Sequence, residues 1–321
     1  MTTEESRDGV ALTNLDQPLF SGAGATKRDL VEYLDAVRDR ILPELAERPL
    51  SVIRVHRGQE AFMQKNVPRY TPEWVRTVRL WSESSRRDVD YALCNDRRTL
   101  LWFANQRAVE YHPTLVRVER FDCPTHLVID LDPPDASSFA MAARAAHLVR
   151  ATLGELGLEG AVKTSGSKGV HVYVPVDGQP SMADAAAATR AIAERAARMD
   201  PQIATTAFMK EDRGGKVFID ATRVGWASVI SVYSPRVRPG TPVSFPVAWD
   251  ALDAISPGEF TVHIAARQLG DGDPWAELMP PAQPLSASLI EEGAAIPGGR
   301  VQAMHEGRRR ARERRAKDDR G

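Results

Sequence analysis

The chain has 321 residues, 43% of them apolar, with a formal net charge of −1 and two cysteines. That is apolar content enough for one large domain or two smaller ones, and it excludes a disulfide framework or a Cys-rich zinc site, because Cys94 and Cys123 stand apart and neither belongs to a CxxC. There is no run of about 18 apolar residues, and MTTEESRDGV has neither the basic start nor the apolar stretch of a signal peptide, so a cytoplasmic protein with no membrane partner is expected.

The first element runs from Thr26 to about Glu47: Leu30, Leu34, Val37 and Ile41 recur at helical spacing behind Thr26, with Asp29 placed to complete a capping box. Short β-rich runs at Ser51 to Val55, Val89 to Cys94 and Leu115 to Glu119, with a helical or irregular stretch between Thr99 and Ala108, give the N-terminal part an α+β reading. HLVIDLDPP, residues 126–134, is a strand closed by two prolines. Residues 137–157 read as a helix with Phe139, Leu148, Leu153 and Leu156 available for burial, and VHVYVPV, residues 170–176, as a strand; together they read as a β-α-β unit. An Ala-rich helix from Ser181 to Met199 stops before Asp200-Pro201, and KVFID, residues 216–220, supplies another strand. After Ser234 the chain turns Pro-rich, with one short helical stretch near Pro257 to Arg267. Residues 269–285 read as a Pro-rich linker, and 286–321 as a flexible tail with too little apolar content for a core. Within it Arg308 to Lys317 carries seven basic residues against Glu313, either a solvated end or a phosphate-contacting arm.

Asp130 and Asp132 are two apart on a strand, so both carboxylates leave the same face. Like charges that close call for a cation, and divalent metals with oxygen ligands are the usual solution in phosphoryl transfer. A D-x-D by itself is equally a solvated strand end. Asp220 closes KVFID as Asp132 closes VIDLD, which suggests one cluster of three, although an Asp after Val-Phe-Ile also serves as a turn or helix cap.

Between the strands, Ser165, Gly166, Ser167, Lys168 and Gly169 form a loop able to bring backbone N–H groups and a lysine to an anion, without the order of a Walker A loop. In the strand that follows, Val170, Val172, Val174 and Val176 share one face and leave His171 and Tyr173 on the other, which suits a structural histidine as well as a catalytic one. Arg236 and Arg238, two apart in an extended segment, can present both guanidinium groups to phosphate oxygens or simply to solvent.

Taken together, LTNLDQPLF with Thr26-Lys27, FMQKNVPRYTPEWVRTVRL, VDYALCNDRRTLLWFANQRAVEYHP, HLVIDLDPP, TSGSKGVHVYVP, GKVFIDA and YSPRVRPGTPV resemble, in order and over most of the chain, the bacterial ligase-D-type polymerase domains of the archaeo-eukaryotic primase superfamily. The resemblance implies an α+β fold: a primase-polymerase domain over residues 1–285, with a catalytic core (126–268) of mixed or antiparallel sheet flanked by helices and packed with the N-terminal α+β part (1–125). It implies a two-metal, DNA-directed polymerase, manganese preferred or magnesium, without zinc, filling short gaps with NTPs or dNTPs during end joining or excision repair. Residues matching Asp130, Asp132 and Asp220 hold the metals; Ser165, Lys168, His171, Arg236, Arg238 and His112 match nucleotide-binding positions. Asn14, Gln17 and Lys27 match the grip on a downstream 5′-phosphate, and Phe62 matches a template contact. Gln17 stands where a lysine is expected, and ATRVGWASVISVYS replaces a glycine-rich, basic stretch. With no fused ligase or nuclease segment the chain sits nearest the stand-alone members, expected at the bacterial nucleoid with gapped or nicked DNA, a separate ATP-dependent DNA ligase and an end-binding protein as partners. De novo priming, or a two-metal nuclease or phosphohydrolase, is the alternative.

Overall fold

Residues 5–56, 58–82 and 86–298 are described by a computed structural model, in which two main sheets and their helices make an α+β architecture. The basic run Arg308 to Lys317 lies outside the described residues. Among them no helix is long and apolar enough to cross a membrane.

The N-terminal half runs β1 (Glu5–Arg7), β2 (Val10–Leu12), α1 (Lys27–Ala36), α2 (Arg38–Leu45), β3 (Leu50–Arg54), β4 (Phe62–Gln64), β5 (Thr77–Ser82), β6 (Arg87–Ala92), α3 (Arg97–Asn105) and β7 (Ala108–Pro113). Strands β4, β3, β6 and β5 join in one antiparallel sheet, with β7 beside β3. Thr26 caps α1 with the expected box: its Oγ1 accepts from the Asp29 N–H at 3.3 Å, and Asp29 Oδ2 accepts from the Thr26 N–H at 2.7 Å. The helix foreseen to Glu47 is interrupted at Val37, which ends α1 and begins α2, yet Leu30, Leu34, Val37 and Ile41 still enter one buried cluster. Leu115 to Glu119, expected as a strand, is a run of turns. The Leu115 N–H goes to Gly225 O and the Val118 N–H to Glu47 O, so its backbone bonds are divided between different segments instead of one neighbouring strand.

The C-terminal half runs β8 (His126–Asp132), α4 (Phe139–Glu155), β9 (Ala161–Thr164), β10 (Val170–Pro175), α5 (Met182–Met199), β11 (Ala204–Thr205), β12 (Val217–Asp220), β13 (Pro246–Val247), α6 (Ala265–Gln268), α7 (Pro274–Leu278) and α8 (Ala287–Ala295). Its sheet order is β11-β12-β8-β10-β9-β13, mixed because β11 runs parallel to β12 while the other neighbours are antiparallel. The expected β-α-β unit is therefore split: β10 lies antiparallel between β8 and β9.

Alternation sorts the side chains of this sheet. Leu127, Ile129, Leu131, Val170, Val172, Val217 and Ile219 bury against α4 and α5. Helix α4 meets them mostly with small residues, Ala142, Ala143, Ala145 and Ala146, plus Val149 and Leu153; Phe139, Leu148 and Leu156 are only partly buried. The opposite face is left for Asp130, Asp132, His171 and Asp220.

The stretch read as linker and flexible tail carries more structure than its composition suggested. Trp275 of α7 is buried edge-on against Tyr173, ring centroids 5.3 Å apart. Helix α8 lies so close to α5 that a Cβ on Gly293 would fall 1.8 Å from Ala187 O. Close contact between small residues seats this helix, which a count of large apolar residues does not register.

Candidate active site

Register sets one row of charged side chains across four strands. Asp220 of β12 stands opposite Asp130 of β8, Asp130 opposite His171 of β10, and His171 opposite Lys163 of β9. Asp132 leaves the same face two residues along β8. Arg223, just past β12, reaches both carboxylates of the cross-strand pair, its Nε 3.5 Å from Asp130 Oδ2 and 3.3 Å from Asp220 Oδ2. On the other side of Asp130, His171 Nε2 lies 3.3 Å from Oδ1. Behind it the fully buried Lys163 places Nζ 3.1 Å from His171 Nδ1 and 2.7 Å from Ser244 Oγ. Asp220 Oδ1 also accepts from the N–H and hydroxyl of Thr222, at 2.8 and 2.6 Å, so this residue ends a strand and holds a turn at once.

Burial alone would raise the Asp130 carboxyl; the His171 ring, Arg223 and Lys163 outweigh it and hold the group below the usual carboxylate range. Asp132 moves the other way, raised by burial and by the like charges of Asp130 and Asp220, with Lys168 at 3.9 Å offsetting only part. Burial, and then Lys163, push His171 down to about 4. The ring is therefore neutral at neutral pH, with Nδ1 facing the lysine and Nε2–H left for Asp130. Among the described residues no three His, Cys, Asp or Glu side chains converge as a ready metal cage; the Arg223 guanidinium takes the space between Asp130 and Asp220. The donor set nonetheless fits a hard divalent cation: it is all oxygen, it already draws one cation onto two of its members, and the third is only partly compensated by Lys168.

Residues 165–169 form a tight loop. Ser165 Oγ accepts from the N–H of Gly169 at 3.1 Å and of Ser167 at 3.3 Å, so two N–H groups offered to an anion by the sequence are turned inward. Gly166, at φ +67, admits no side chain, since a Cβ would fall 2.7 Å from Arg236 Cγ and Ser244 N. Arg236 Nη1 donates to Ser165 O at 2.6 Å, and its Nε lies 3.2 Å from Glu110 Oε1 without hydrogen-bond alignment. Arg238 reaches Ser167 Oγ at 3.4 Å, and Lys168 donates to Pro133 O at 2.5 Å. His112 Nε2 stands 2.9 Å from Glu110 Oε2. Burial opposes ionisation of Glu110, but His112 and Arg236 bring it down to about 2. Of the six positions matched to the nucleotide, His171 lies in the row, Lys168 stands 3.9 Å from Asp132, and Arg236 and Arg238 hold the 165–169 loop; two buried groups that sequence reasoning passed over add to this, Glu110 beside His112 and Arg236, and Lys163 behind His171.

Asn14, Gln17 and Lys27 meet elsewhere. Gln17 N–H donates to Asn14 O at 3.2 Å and Lys27 N–H to Gln17 O at 2.9 Å; Lys27 is 3% exposed, with Nζ on Thr13 O at 2.5 Å. Gln17 lines a cleft of about 640 Å³ together with Phe20, His56, Gln59 and Arg107. Phe62 is exposed beside it, stacked on His56 with ring centroids 5.2 Å apart.

A family model described as LigD, primase-polymerase domain, matches residues 26–275. The bifunctional non-homologous end joining protein LigD of Bacillus subtilis (strain 168) is 32% identical over 288 residues, 87% of this chain and 46% of the relative. The multifunctional protein of the same name from Mycolicibacterium smegmatis is 33% identical over 253 residues, 77% of this chain and 33% of the relative. The chain thus spans less than half the length of these relatives. Among solved structures, a polymerase domain of Mycobacterium tuberculosis Ligase D in complex with DNA superposes with a TM-score of 0.75 at 31% identity, covering 84% of this chain and 99% of that one.

Proposed function

The chain belongs to the LigD primase-polymerase domain family, and from that premise we propose that it is a DNA-dependent nucleotidyltransferase that fills short gaps with NTPs or dNTPs in DNA repair. One observation carries the reading: Asp220 and Asp130 are paired across neighbouring strands with Asp132 on the same face, Lys168 lies 3.9 Å from Asp132, and Arg236 and Arg238 both reach the loop from which Lys168 extends. Carboxylates for metal beside cations for phosphate is what transfer of a nucleotidyl group requires, whereas hydrolysis needs no such cradle.

Asp130, Asp132 and Asp220 would hold two divalent ions, manganese or magnesium. When bound, these ions lower the pKa of a primer 3′-hydroxyl and screen the triphosphate and its pyrophosphate leaving group. Arg236, Arg238 and Lys168 hold the triphosphate oxygens, with Ser165 fixing the loop from which Lys168 extends. His171, neutral and backed by Lys163, orients Asp130 and keeps it ionised. Glu110 and His112 steady Arg236. Away from the reacting atoms, Asn14, Lys27 and Gln17 receive the 5′-phosphate across the gap and Phe62 meets the template. The names of the relatives and the DNA in the solved neighbour support a place in end joining, with gapped DNA as the substrate.

The test is extension of a labelled primer across a gapped duplex, with each metal and with ribo- and deoxyribonucleotides. Metal-dependent addition that stops at the downstream strand is the expected result. Shortening of the primer without addition overturns the reading in favour of a nuclease, and products formed without a primer reveal de novo priming.

A further inference from the structure

We infer that Arg107 supplies the positive charge that recognises a 5′-phosphate at the downstream edge of a gap, at the place where Gln17 offers only a neutral amide. The inference rests on the reading of Asn14, Lys27 and Gln17 given above and adds a residue to it.

Arg107 follows the C-cap of α3 at φ +60, a position where glycine is the usual occupant. Its side chain turns back across the cleft that Gln17 lines. Nε donates to Val55 O at 2.9 Å, and Nη2 donates to Pro18 O at 2.7 Å and to Leu19 O. All of these acceptors are neutral carbonyls. Lys27 is held in the same manner, by Thr13 O. Among the described residues no carboxylate lies within ion-pair distance of either cation, although Asp16 and Glu60 line the same cleft; Asp16 is engaged by Arg28 at 3.0 Å.

Arg107 is on the cleft wall, whereas Lys27 is buried and does not line the cleft, yet lies close enough to feel the Arg107 charge. Burial first, and then Arg107, bring Lys27 down to about 8, and burial lowers Arg107 itself. His56, on the cleft wall, is lowered by burial, Arg54 and Arg107. A guanidinium on a concave wall with no ion-pair partner of its own favours an anion. A planar guanidinium already fixed by carbonyls on one edge is preorganised to meet phosphate oxygens with its remaining donors. A terminal phosphate monoester is the ligand that suits this, being dianionic near neutral pH and small enough to enter beside the exposed Phe62–His56 stack.

The experiment compares binding of two labelled gapped duplexes, identical except for a 5′-phosphate or a 5′-hydroxyl on the downstream strand, at one fixed salt concentration. Arg107→Gln in the full chain should lower the phosphate preference roughly tenfold, the worth of one charge-assisted contact, and Gln17→Lys added to it should restore the preference by returning the charge. Arg107→Gly, comfortable at positive φ, should behave as Arg107→Gln does and guards against a folding defect. If preference falls but Gln17→Lys does not restore it, Arg107 merely props the loop at 18–19 and the inference is overturned. Should Arg107→Gln keep the preference while Lys27→Ala loses it, the inference fails and the phosphate site stands. If neither substitution matters, the site reading fails with it.

Discussion

Asp130 and Asp220 face each other across the β8–β12 ladder, and the Arg223 guanidinium lies 3.5 and 3.3 Å from their carboxylates. Like charges directly opposite on neighbouring strands repel, so the pair persists only with a cation between them, and Arg223 now plays that part. An incoming divalent ion has to compete with it for the same oxygens.

Arg223→Ala should therefore tighten binding of manganese to the metal-free protein by roughly tenfold, the equivalent of one hydrogen bond to a charged group. Calorimetric titration reads this without any turnover, and adding Asp130→Asn should cancel the gain. Unchanged affinity would mean that Arg223 swings away at no cost.

The three aspartates divide in their effect on stability. Asp130→Asn and Asp220→Asn should abolish nucleotide addition with the fold intact. Asp132→Asn should abolish it too while raising Tm at neutral pH. The sign follows from its carboxyl being raised in the folded state by burial and by Asp130 and Asp220: the folded protein disfavours the ionised form, and that penalty is present above the raised pKa. Near-normal extension by any of the three folded variants would remove the metal assignment.

Arg236→Ala should lower kcat/KM by on the order of 2–4 kcal/mol, about 30- to 1,000-fold, because an arginine on the triphosphate strengthens its contacts as charge develops. Duplex affinity should hardly change. Weaker DNA binding at constant nucleotide KM and rate would exchange its role with that of a DNA contact.

The sequence displayed whatever depends on local periodicity. VIDLD, VHVYVP and VFID alternate cleanly because one face of their sheet is apolar; Thr26 announced α1 through a capping box that is present, and α5 begins behind Ser181 as expected, where the structure adds a capping box with Asp184. What stayed hidden depends on long-range pairing. Strand β9 is short and interrupted by Lys163, a charge that alternation rules send outward and that is instead fully buried behind His171. Glu110 was missed for the same reason. Arg223 and Arg107 sit on turns, where no period exists to mark them, and α8 is held by Gly293 against Ala187, a contact invisible to a count of large apolar residues.

Lys27 gives the proposed 5′-phosphate site a pH dependence of definite sign. In that proposed role the ammonium is the form that would bind phosphate, and burial with Arg107 has brought its pKa down to about 8. Preference for a phosphorylated over a hydroxylated gap should be full near neutrality and fall as pH rises through about 8, where Lys27 loses its proton. Below about pH 6 the preference should weaken again as the phosphate takes up its own second proton. Because the bound phosphate favours the charged lysine, binding near pH 8 should draw a proton from solution, seen as a buffer-dependent heat with the phosphorylated duplex and absent with the hydroxylated one. Lys27→Arg, which stays charged, should flatten the alkaline fall. A wild-type preference that is level from pH 7 to 9 would show that Lys27 does not contribute its charge to that phosphate.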